Sequence, residues 1–143
     1  MSETPYVVEI QLRWGDMDPL NHINNVHYAR IVEEARVRAM RDWFTAADRE
    51  FSMLIARQEI EFVTPLLYSP DSALVEIWVS RMGTKSCDFG YRIKSAEGET
   101  CALAETTCAV VDPATGQPVV IAEAARRYLE NQMGPEVEFR RRR

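Results

Sequence analysis

The sequence predicts an α+β fold in which an antiparallel sheet of about five strands packs on one long helix. Four segments alternate apolar and polar residues with the period of two that is typical of half-buried strands, and a fifth is apolar on both faces, as expected of a buried strand. One segment, from about residue 24 to residue 44, has helical spacing instead. A single long helix provides too few crossover connections for a parallel sheet, so the later strands are expected to pair antiparallel. At 143 residues the chain fits one domain.

The first strand is predicted in the segment YVVEIQLRW, where apolar side chains occupy alternate positions. The side chains expected on its buried face are Val8, Ile10, Leu12 and Trp14. The next segment, GDMDPLNH, concentrates the turn-forming residues Gly, Asp, Pro and Asn. It is therefore expected to be an irregular connection between the strand and the helix.

The long helix is predicted directly after this connection. Apolar residues recur there at steps of three and four, at Tyr28, Ile31, Val32, Ala35, Ala39 and Trp43. Asn24 or Asn25 is expected to cap its N-terminus. Arg30 and Glu34, and likewise Glu34 and Arg38, are four residues apart and are expected to form ion pairs on its surface.

Four more strands are predicted after the polar connection TAADRE. They lie around Ile60 and Phe62, at 74–82, at 86–94 and at about 100–111. The last of these is small and apolar on both faces, as expected of a central strand. A short helix is predicted at about 122–132. Residues from about 134 to 143, which end in four arginines, are expected to form a polar, basic tail.

Composition excludes several classes of protein. The net charge of −5 argues against a nucleic-acid partner, because phosphate contacts need a basic surface. No apolar run approaches the roughly 18 to 20 residues that cross a bilayer, so no membrane association is expected. The three cysteines lack a C-x-x-C spacing, and no basic and apolar leader precedes Tyr6. Reduced thiols and a cytoplasmic location are therefore expected.

Both histidines of the chain fall in one polar cluster, WGDMDPLNHINNVHY, between the first strand and the helix. A carboxylate just ahead of a helix could attack a carbonyl carbon or activate a water molecule. An unpaired N–H at the helix start, near Asn25, could stabilise the negative oxygen that develops. Acyl transfer needs these two parts. The motifs of serine hydrolases with G-x-S-x-G, phosphate-binding loops, dinucleotide-binding folds and H-E-x-x-H metal sites are absent.

Each residue of the cluster also has a purely structural interpretation. Asp16 or Asp18 could be a turn residue or a cap, and His22 could hydrogen-bond the loop. Asn24 and Asn25 could serve only as the N-cap of the helix. Spacing alone therefore leaves both interpretations open.

The segment RWGDMDPLNHINNVHYARIVEEAR resembles the signature of the 4-hydroxybenzoyl-CoA thioesterase-like family of hotdog-fold proteins. In that family a strand leads to a D-x-D-x-x-x-H-x-N-N loop and then to a long helix with Y-x-x-x-x-E-x-A-R. The later segments PLLYSPD, GTKSCDFGYRI and VVDPATGQPV follow in the same order as in the family. The resemblance covers nearly the whole chain and implies one hotdog domain over 1–143. It also implies a homodimer or homotetramer whose active sites are shared between subunits.

The resemblance implies an acyl-CoA thioesterase that hydrolyses a fatty or aromatic acyl-CoA to the free acid and CoA. Asp18 falls on the catalytic carboxylate and would be the nucleophile or the general base. The amide of Asn25 would donate to the oxyanion, and His22 would order the loop or contact the thioester. Asn21 stands where the family usually has glycine, a mild departure because Asn enters left-handed conformations readily.

The resemblance also suggests residues that bind substrate, namely Asn24, Tyr28, Ser86 and Lys85. Tyr28 falls on the tyrosine of the motif and is expected to pack at the base of the helix. Ser86 stands where the family often has Ser or Thr near the site, and Lys85 is one of several basic candidates for the CoA phosphates. No metal or organic cofactor is implied, since coenzyme A is part of the substrate.

Two other functions remain open. A hotdog hydratase or dehydratase would need a His with an Asp or Glu placed to move a proton at the β-carbon, and a non-catalytic acyl-CoA-binding module would use the pocket only for recognition. An acyl-carrier-protein thioester is an alternative substrate, which the acidic charge of the chain disfavours. The length of the acyl pocket depends on how six side chains pack: Trp14, Met17, Trp43, Phe51, Met53 and Phe62.

Overall fold

The computed structural model describes residues 4–44 and 52–142. It confirms the α+β architecture, with one five-stranded sheet, one long helix and one short C-terminal helix. The elements are β1 (Tyr6–Ile10), α1 (Tyr28–Trp43), β2 (Ser52–Phe62), β3 (Ala73–Met82), β4 (Ser86–Lys94), β5 (Thr100–Val111) and α2 (Glu123–Glu130). The connection predicted at TAADRE, residues 45–50, lies outside the described residues, as does Phe51.

The sheet has the strand order β1-β3-β4-β5-β2, and every neighbouring pair is antiparallel. The strands at its two edges, β1 and β2, are those on either side of α1 in the sequence. The chain therefore passes from one edge of the sheet to the other by way of α1. The strand predicted at 86–94 coincides with β4, and β5 has a neighbour on each side, as its apolar composition indicated.

The main core lies between α1 and the inner face of the sheet. The helix buries the face predicted from its spacing, and its residues with 0% exposure are Ile31, Val32, Ala35 and Ala39. The strands contribute inward-facing residues such as Val75, Ile77, Phe89, Tyr91 and Ile93, also with 0% exposure. Burying each such large apolar side chain contributes about 1.5–3 kcal/mol.

The exposed side of α1 carries the predicted ion pairs. Glu34 lies 3.4 Å from Arg30 and 3.2 Å from Arg38, measured between carboxylate oxygen and guanidinium nitrogen. The helix begins one turn later than its spacing indicated, because Asn25–His27 form a 3₁₀ turn ahead of it. Pairs of this kind add only about 0.3–0.5 kcal/mol each, so packing dominates the stability of α1.

One residue of the predicted first strand is not buried. Trp14 is 72% exposed, although the alternation placed it on the buried face with Val8 and Ile10. The strand ends at Ile10, and residues 14–16 form a 3₁₀ turn that breaks the alternation. The Trp14 ring packs instead against Tyr68, with ring centroids 5.8 Å apart.

The C-terminal segment packs on the outer face of the sheet around Trp78, so the predicted polar tail requires correction. Val137 and Phe139 are buried with Trp78 in a second, smaller core. The Trp78 indole N–H donates to the carbonyl of Pro135 at 2.7 Å. A Cβ on Gly90 would lie 2.7 Å from the Trp78 ring, so glycine is needed beneath it. Two apolar residues among charged neighbours are too weak a pattern to predict this contact from sequence.

Within residues 4–44 and 52–142, no helix is both long and apolar enough to cross a membrane.

Candidate active site

The loop between β1 and α1 is closed by hydrogen bonds around Asp18. The N–H of Asp18 donates to the carbonyl of His22 at 2.8 Å, and the N–H of Asn21 donates to the carbonyl of Asp18 at 3.1 Å. Asn21 adopts a left-handed conformation with φ of 62°. This agrees with its position where the resembled family has glycine, and the asparagine meets the same backbone requirement.

One oxygen of the Asp18 carboxylate is held by the loop and the other is left open. Oδ1 accepts from the N–H groups of Leu20 and His22, at 2.9 and 3.2 Å. Oδ2 has no hydrogen-bond partner among the residues that the structure describes. The side chain is half-buried. The carboxylate therefore has a set orientation and one oxygen available to a ligand or a water molecule.

The other aspartate of the loop is sealed into an ion-pair cluster. Asp16 is 1% exposed, and its carboxylate lies 2.6 Å from Arg13 and 2.6 Å from Arg30. Nδ1 of His27 lies 3.5 Å away. Hydrogen bonding from Arg13 lowers the pKa of Asp16, burial opposes this, and the charge of Arg30 adds to the lowering. Asp16 is thus occupied in joining the loop to the helix, and Asp18 is the accessible carboxylate of the pair.

The helix start presents an N–H group without an intramolecular partner. The side chain of Asn24 accepts from the N–H of Val26 at 3.2 Å, which makes Asn24 the N-cap, one of the two candidates from sequence. The N–H of Asn24 donates to the carbonyl of Asp16 at 2.8 Å. The N–H of Asn25 makes no hydrogen bond within the described part of the chain. It is one of the donors that a helix start leaves unpaired.

These groups border a pocket of about 250 Å³. Its lining residues are Asp18, His22, Ile23, Asn25, Tyr28, Phe62, Val63, Thr64 and Pro65. The rings of Tyr28 and Phe62 meet edge to face with centroids 5.0 Å apart, so Tyr28 packs at the helix base as expected. Burial raises the pKa of Tyr28, and the negative charge of Asp18 acts in the same direction. Four of the seven residues singled out from sequence therefore meet at one concavity: Asp18, His22, Asn25 and Tyr28.

The structure does not bring the remaining three into this pocket. Asn24 caps the helix beside it. Lys85 and Ser86 lie at the start of β4, where Ser86 is paired with Ala109, and Ala109 is in turn paired with Leu54 of β2. The pocket is at the other end of β2, at Phe62, which is eight residues after Leu54. At about 3.3 Å per residue, Lys85 and Ser86 are some 26 Å from it within one chain.

Two contributions to the site were missed from sequence. Residues 62–65, at the end of β2, form the wall opposite the loop, and no polar motif marks them. The ion-pair cluster of Asp16 also went unrecognised, although Arg13 and Arg30, which flank the polar cluster, were a signal that could have revealed it. No group of three or more His, Cys, Asp or Glu side chains placed to hold a metal ion occurs in the described ranges.

Comparison with known proteins identifies relatives of this chain. The model of the thioesterase-like superfamily matches residues 12–129. A thioesterase from Thermus thermophilus, solved with coenzyme A and zinc, is 25% identical, with a TM-score of 0.77 over 92% of this chain and 96% of that one. Comparison with curated protein sequences gives no match.

Two further solved structures share the fold. A thioesterase-superfamily protein from Jannaschia is 21% identical, with a TM-score of 0.85 over 93% of this chain and 96% of that one. A 1,4-dihydroxy-2-naphthoyl-CoA thioesterase from Synechocystis is 15% identical, with a TM-score of 0.76 over 88% and 96% of the two chains. The fold is thus the hotdog fold expected from the sequence, and on the match over residues 12–129 the chain belongs to the thioesterase-like superfamily.

Proposed function

We propose that this protein is an acyl-CoA thioesterase that hydrolyses the thioester of a fatty or aromatic acyl-CoA to the free acid and CoA. The observation that carries the proposal is the pairing of an open carboxylate oxygen with an unbonded N–H at one pocket. Asp18 supplies the first and Asn25 the second. Thioester hydrolysis needs a group that delivers the nucleophile and a donor that stabilises the oxyanion.

The reaction starts when the thioester carbonyl oxygen accepts a hydrogen bond from the N–H of Asn25. If Asp18 is the nucleophile, Oδ2 bonds to the carbonyl carbon, CoA leaves as the thiolate, and water then hydrolyses the anhydride. If Asp18 is the general base, it takes a proton from water while the water oxygen bonds to that carbon, and the thiolate leaves. In both routes the oxyanion faces the positive end of the helix dipole. His22 keeps the carboxylate in place through its main chain.

Superfamily membership supports the reaction class. Coenzyme A as part of the substrate is supported by the Thermus thermophilus relative, which was solved with coenzyme A. The carboxylate mechanism uses no metal or organic cofactor. Asn24 contributes by capping the turn that presents the N–H of Asn25.

A second copy of the chain is expected to complete the site. The edge strand β2 exposes apolar side chains, with Leu54, Ile55 and Phe62 at 55%, 47% and 46% exposure. An exposed apolar edge strand favours pairing with another strand. Antiparallel pairing of two β2 strands about a twofold axis would set the Leu54 end of one copy beside the Phe62 end of the other. Ser86 and Lys85 of one copy would then approach the Asp18 pocket of the other, where a substrate-binding role becomes geometrically reasonable.

The test is thiol release from a panel of short, medium, long and aromatic acyl-CoAs by the wild type and by Asp18→Asn. Asparagine keeps an oxygen to accept from Leu20 and His22, so the loop should be retained while base and nucleophile are lost. We expect turnover to fall by about 10²-fold or more with the melting temperature unchanged. Asp112→Asn is the matched control, because Asp112 Oδ1 accepts from the N–H groups of Ala114 and Thr115 in a similar turn.

Two results would count against the proposal. Full turnover by Asp18→Asn would remove Asp18 from the chemistry. Binding of acyl-CoA by the wild type without thiol release would favour the hydratase or the binding-module alternative, which a hydration assay with enoyl-CoA separates.

A further inference from the structure

The arginine run that begins at Arg140 lies beside the candidate active site. Nη2 of Arg140 donates to the main-chain carbonyl of Phe62 at 3.2 Å. The side chain of Phe62 lines the Asp18 pocket, where its ring packs against Tyr28. A single residue at the end of β2 therefore lies between the first arginine of the run and the pocket.

The main chain holds the start of this run in place. Phe139, the residue before it, is 1% exposed in the second core. The N–H groups of Arg140 and Arg141 donate to the two carboxylate oxygens of Glu61, at 2.8 and 3.3 Å. The hydrogen bond from the N–H of Arg140 is the main cause of a lowered pKa of Glu61, so this carboxylate is ionised at neutral pH. The position of both arginines relative to β2 is thus set by the fold.

The side chains of these two arginines are exposed to solvent. That of Arg140 is 51% exposed, and its Nε lies 3.4 Å from one oxygen of Glu61. The guanidinium of Arg141 makes no hydrogen bond or ion pair with any residue in 4–44 and 52–142. Within those ranges Glu61 is also the one carboxylate that lies within ion-pair distance of either guanidinium. Two positive charges therefore have one negative charge between them.

The arginines on the other side of the pocket are already paired. Arg13 and Arg30, which flank the loop before α1, both bind the buried carboxylate of Asp16. Lys85 lies at the start of β4, away from the pocket within one chain. Among the described residues, Arg141 is thus the arginine near the pocket that has no acidic partner.

The size of the pocket requires most of a CoA molecule to lie outside it. The pocket volume is about 250 Å³, whereas sites that enclose a drug-sized ligand have roughly 300–1,000 Å³. The acyl group and the thioester would fill this space. The pantetheine arm and the nucleotide would then extend over the rim, and the phosphate groups of the nucleotide carry the negative charge of the substrate.

We propose that Arg140 and Arg141 bind the phosphate groups of the CoA nucleotide while the thioester lies between Asp18 and Asn25. Arginine suits this role because its planar guanidinium binds phosphate through two parallel hydrogen bonds. A local positive charge also draws an anionic substrate to a protein whose net charge of −5 repels it. This inference rests on the proposed thioesterase function and adds a binding site to it.

The test compares the acyl-CoA that the substrate panel ranks first with the same acyl group on pantetheine, which has no phosphate. The two kcat/KM values are measured for the wild type and for the double variant Arg140→Gln/Arg141→Gln. We expect the double variant to lose about tenfold with the CoA thioester, as the loss of charge-assisted hydrogen bonds warrants. The loss should be in KM, because the phosphates are remote from the reacting carbon and bind equally in the ground and transition states. The pantetheine thioester should be hydrolysed as by the wild type.

Arg38→Gln is the matched control for Arg141→Gln, since each removes one positive charge. The guanidinium of Arg38 donates to the carbonyl of Glu9 beside β1, the edge of the sheet opposite β2. Four strand spacings, about 19 Å, separate the two edges. Arg38→Gln should leave the ratio of the two kcat/KM values unchanged, whereas an effect of net charge alone would appear in both single variants. Arg141→Gln also replaces the double variant if that does not fold, because the Arg141 side chain has no partner in the described ranges.

A ratio that stays at the wild-type value in both the double variant and Arg141→Gln would overturn the inference while the thioesterase function stands. Equal losses with the two substrates, or an equal change in Arg38→Gln, would also overturn it. If no acyl-CoA is hydrolysed, the proposed function fails, and calorimetry with adenosine 3′,5′-bisphosphate and with adenosine tests the arginines alone. Binding of the bisphosphate that exceeds that of adenosine and is lost in the double variant would retain the phosphate site. No binding of the bisphosphate, or equal binding by the double variant, would end the proposal.

Discussion

Oδ2 of Asp16 lies 2.6 Å from Nη2 of Arg30, which joins the loop before α1 to the first turn of that helix. Two residues later, Asp18 leaves one carboxylate oxygen without a partner among the described residues. Two aspartates in one short loop therefore have different environments. The buried, ion-paired residue holds the loop, and the half-buried residue is available for chemistry.

Asp16→Asn should lower the free energy of unfolding by about 2–4 kcal/mol at pH 7. This loss in the free energy of unfolding lies between those known for exposed and for buried ion pairs, because Arg13 is solvent-exposed while Asp16 is buried. The pKa of Asp16 is lowered in the folded state, chiefly by Arg13. Its stabilisation is thus complete above the unfolded pKa of about 3.9 and is lost as pH falls through the lower folded pKa. Urea unfolding of the wild type and of Asp16→Asn at pH 7 and pH 3 measures this pH dependence. A stability difference between the two proteins that is the same at both pH values would contradict the prediction.

Asn25→Pro should remove the proposed oxyanion donor with little effect on the fold. Proline is tolerated at the first helical position, where the N–H is unpaired, and Asn24 already has the extended conformation that precedes proline, with φ of −62° and ψ of 138°. We expect kcat to fall by about 10²- to 10³-fold with a small change in KM. Asn25→Ala, which keeps the N–H, should retain activity. Similar losses in both variants would point to the side chain instead.

Asn21 should tolerate glycine but not alanine. Its φ of 62° costs a residue with a Cβ about 1–2 kcal/mol, and asparagine is among the residues that accept it most readily. Asn21→Ala should therefore destabilise the protein by about 1 kcal/mol and slow thiol release, since Asn21 closes the loop that orients Asp18. Asn21→Gly should match the wild type in both measurements. An alanine variant with wild-type stability would show that the loop relaxes.

The thiols of the native protein should resist labelling at pH 8. Cys87, Cys101 and Cys108 are free and buried. Burial raises the pKa of Cys87 to about 12 and that of Cys108 to about 11, so both are protonated at this pH. Because these raised pKa values belong to the folded state, stability should fall as pH rises above the unfolded value of about 8.5. A thiol reagent should label all three cysteines of the protein unfolded in urea, and none of them rapidly in the native protein. Prompt labelling of the native protein would contradict the burial.

The candidate site could be predicted in part. Asp18, His22, Asn25 and Tyr28 were identified as one group because the polar loop and the helix start are adjacent in sequence, and the structure brings these residues to one pocket. Their catalytic and binding roles remain predictions. The opposite wall, residues 62–65, comes from a strand more than thirty positions away, and no local pattern links it to the loop. Trp14 and Trp43, considered for the acyl pocket, lie elsewhere, Trp14 on the surface and Trp43 stacked on Phe89 in the core.

By itself, the sequence determined the identity and order of the elements, because periodicity, caps and turn residues act over a few neighbours. It predicted β4, the face that α1 buries, and the conformational tolerance of Asn21. Only the tertiary structure decided that Asp16 is the buried, ion-paired aspartate of the loop and that the C-terminal segment covers Trp78. Each of these depends on contacts between distant segments. The energy of such a contact is set by burial and by the availability of a partner, which only the folded chain defines.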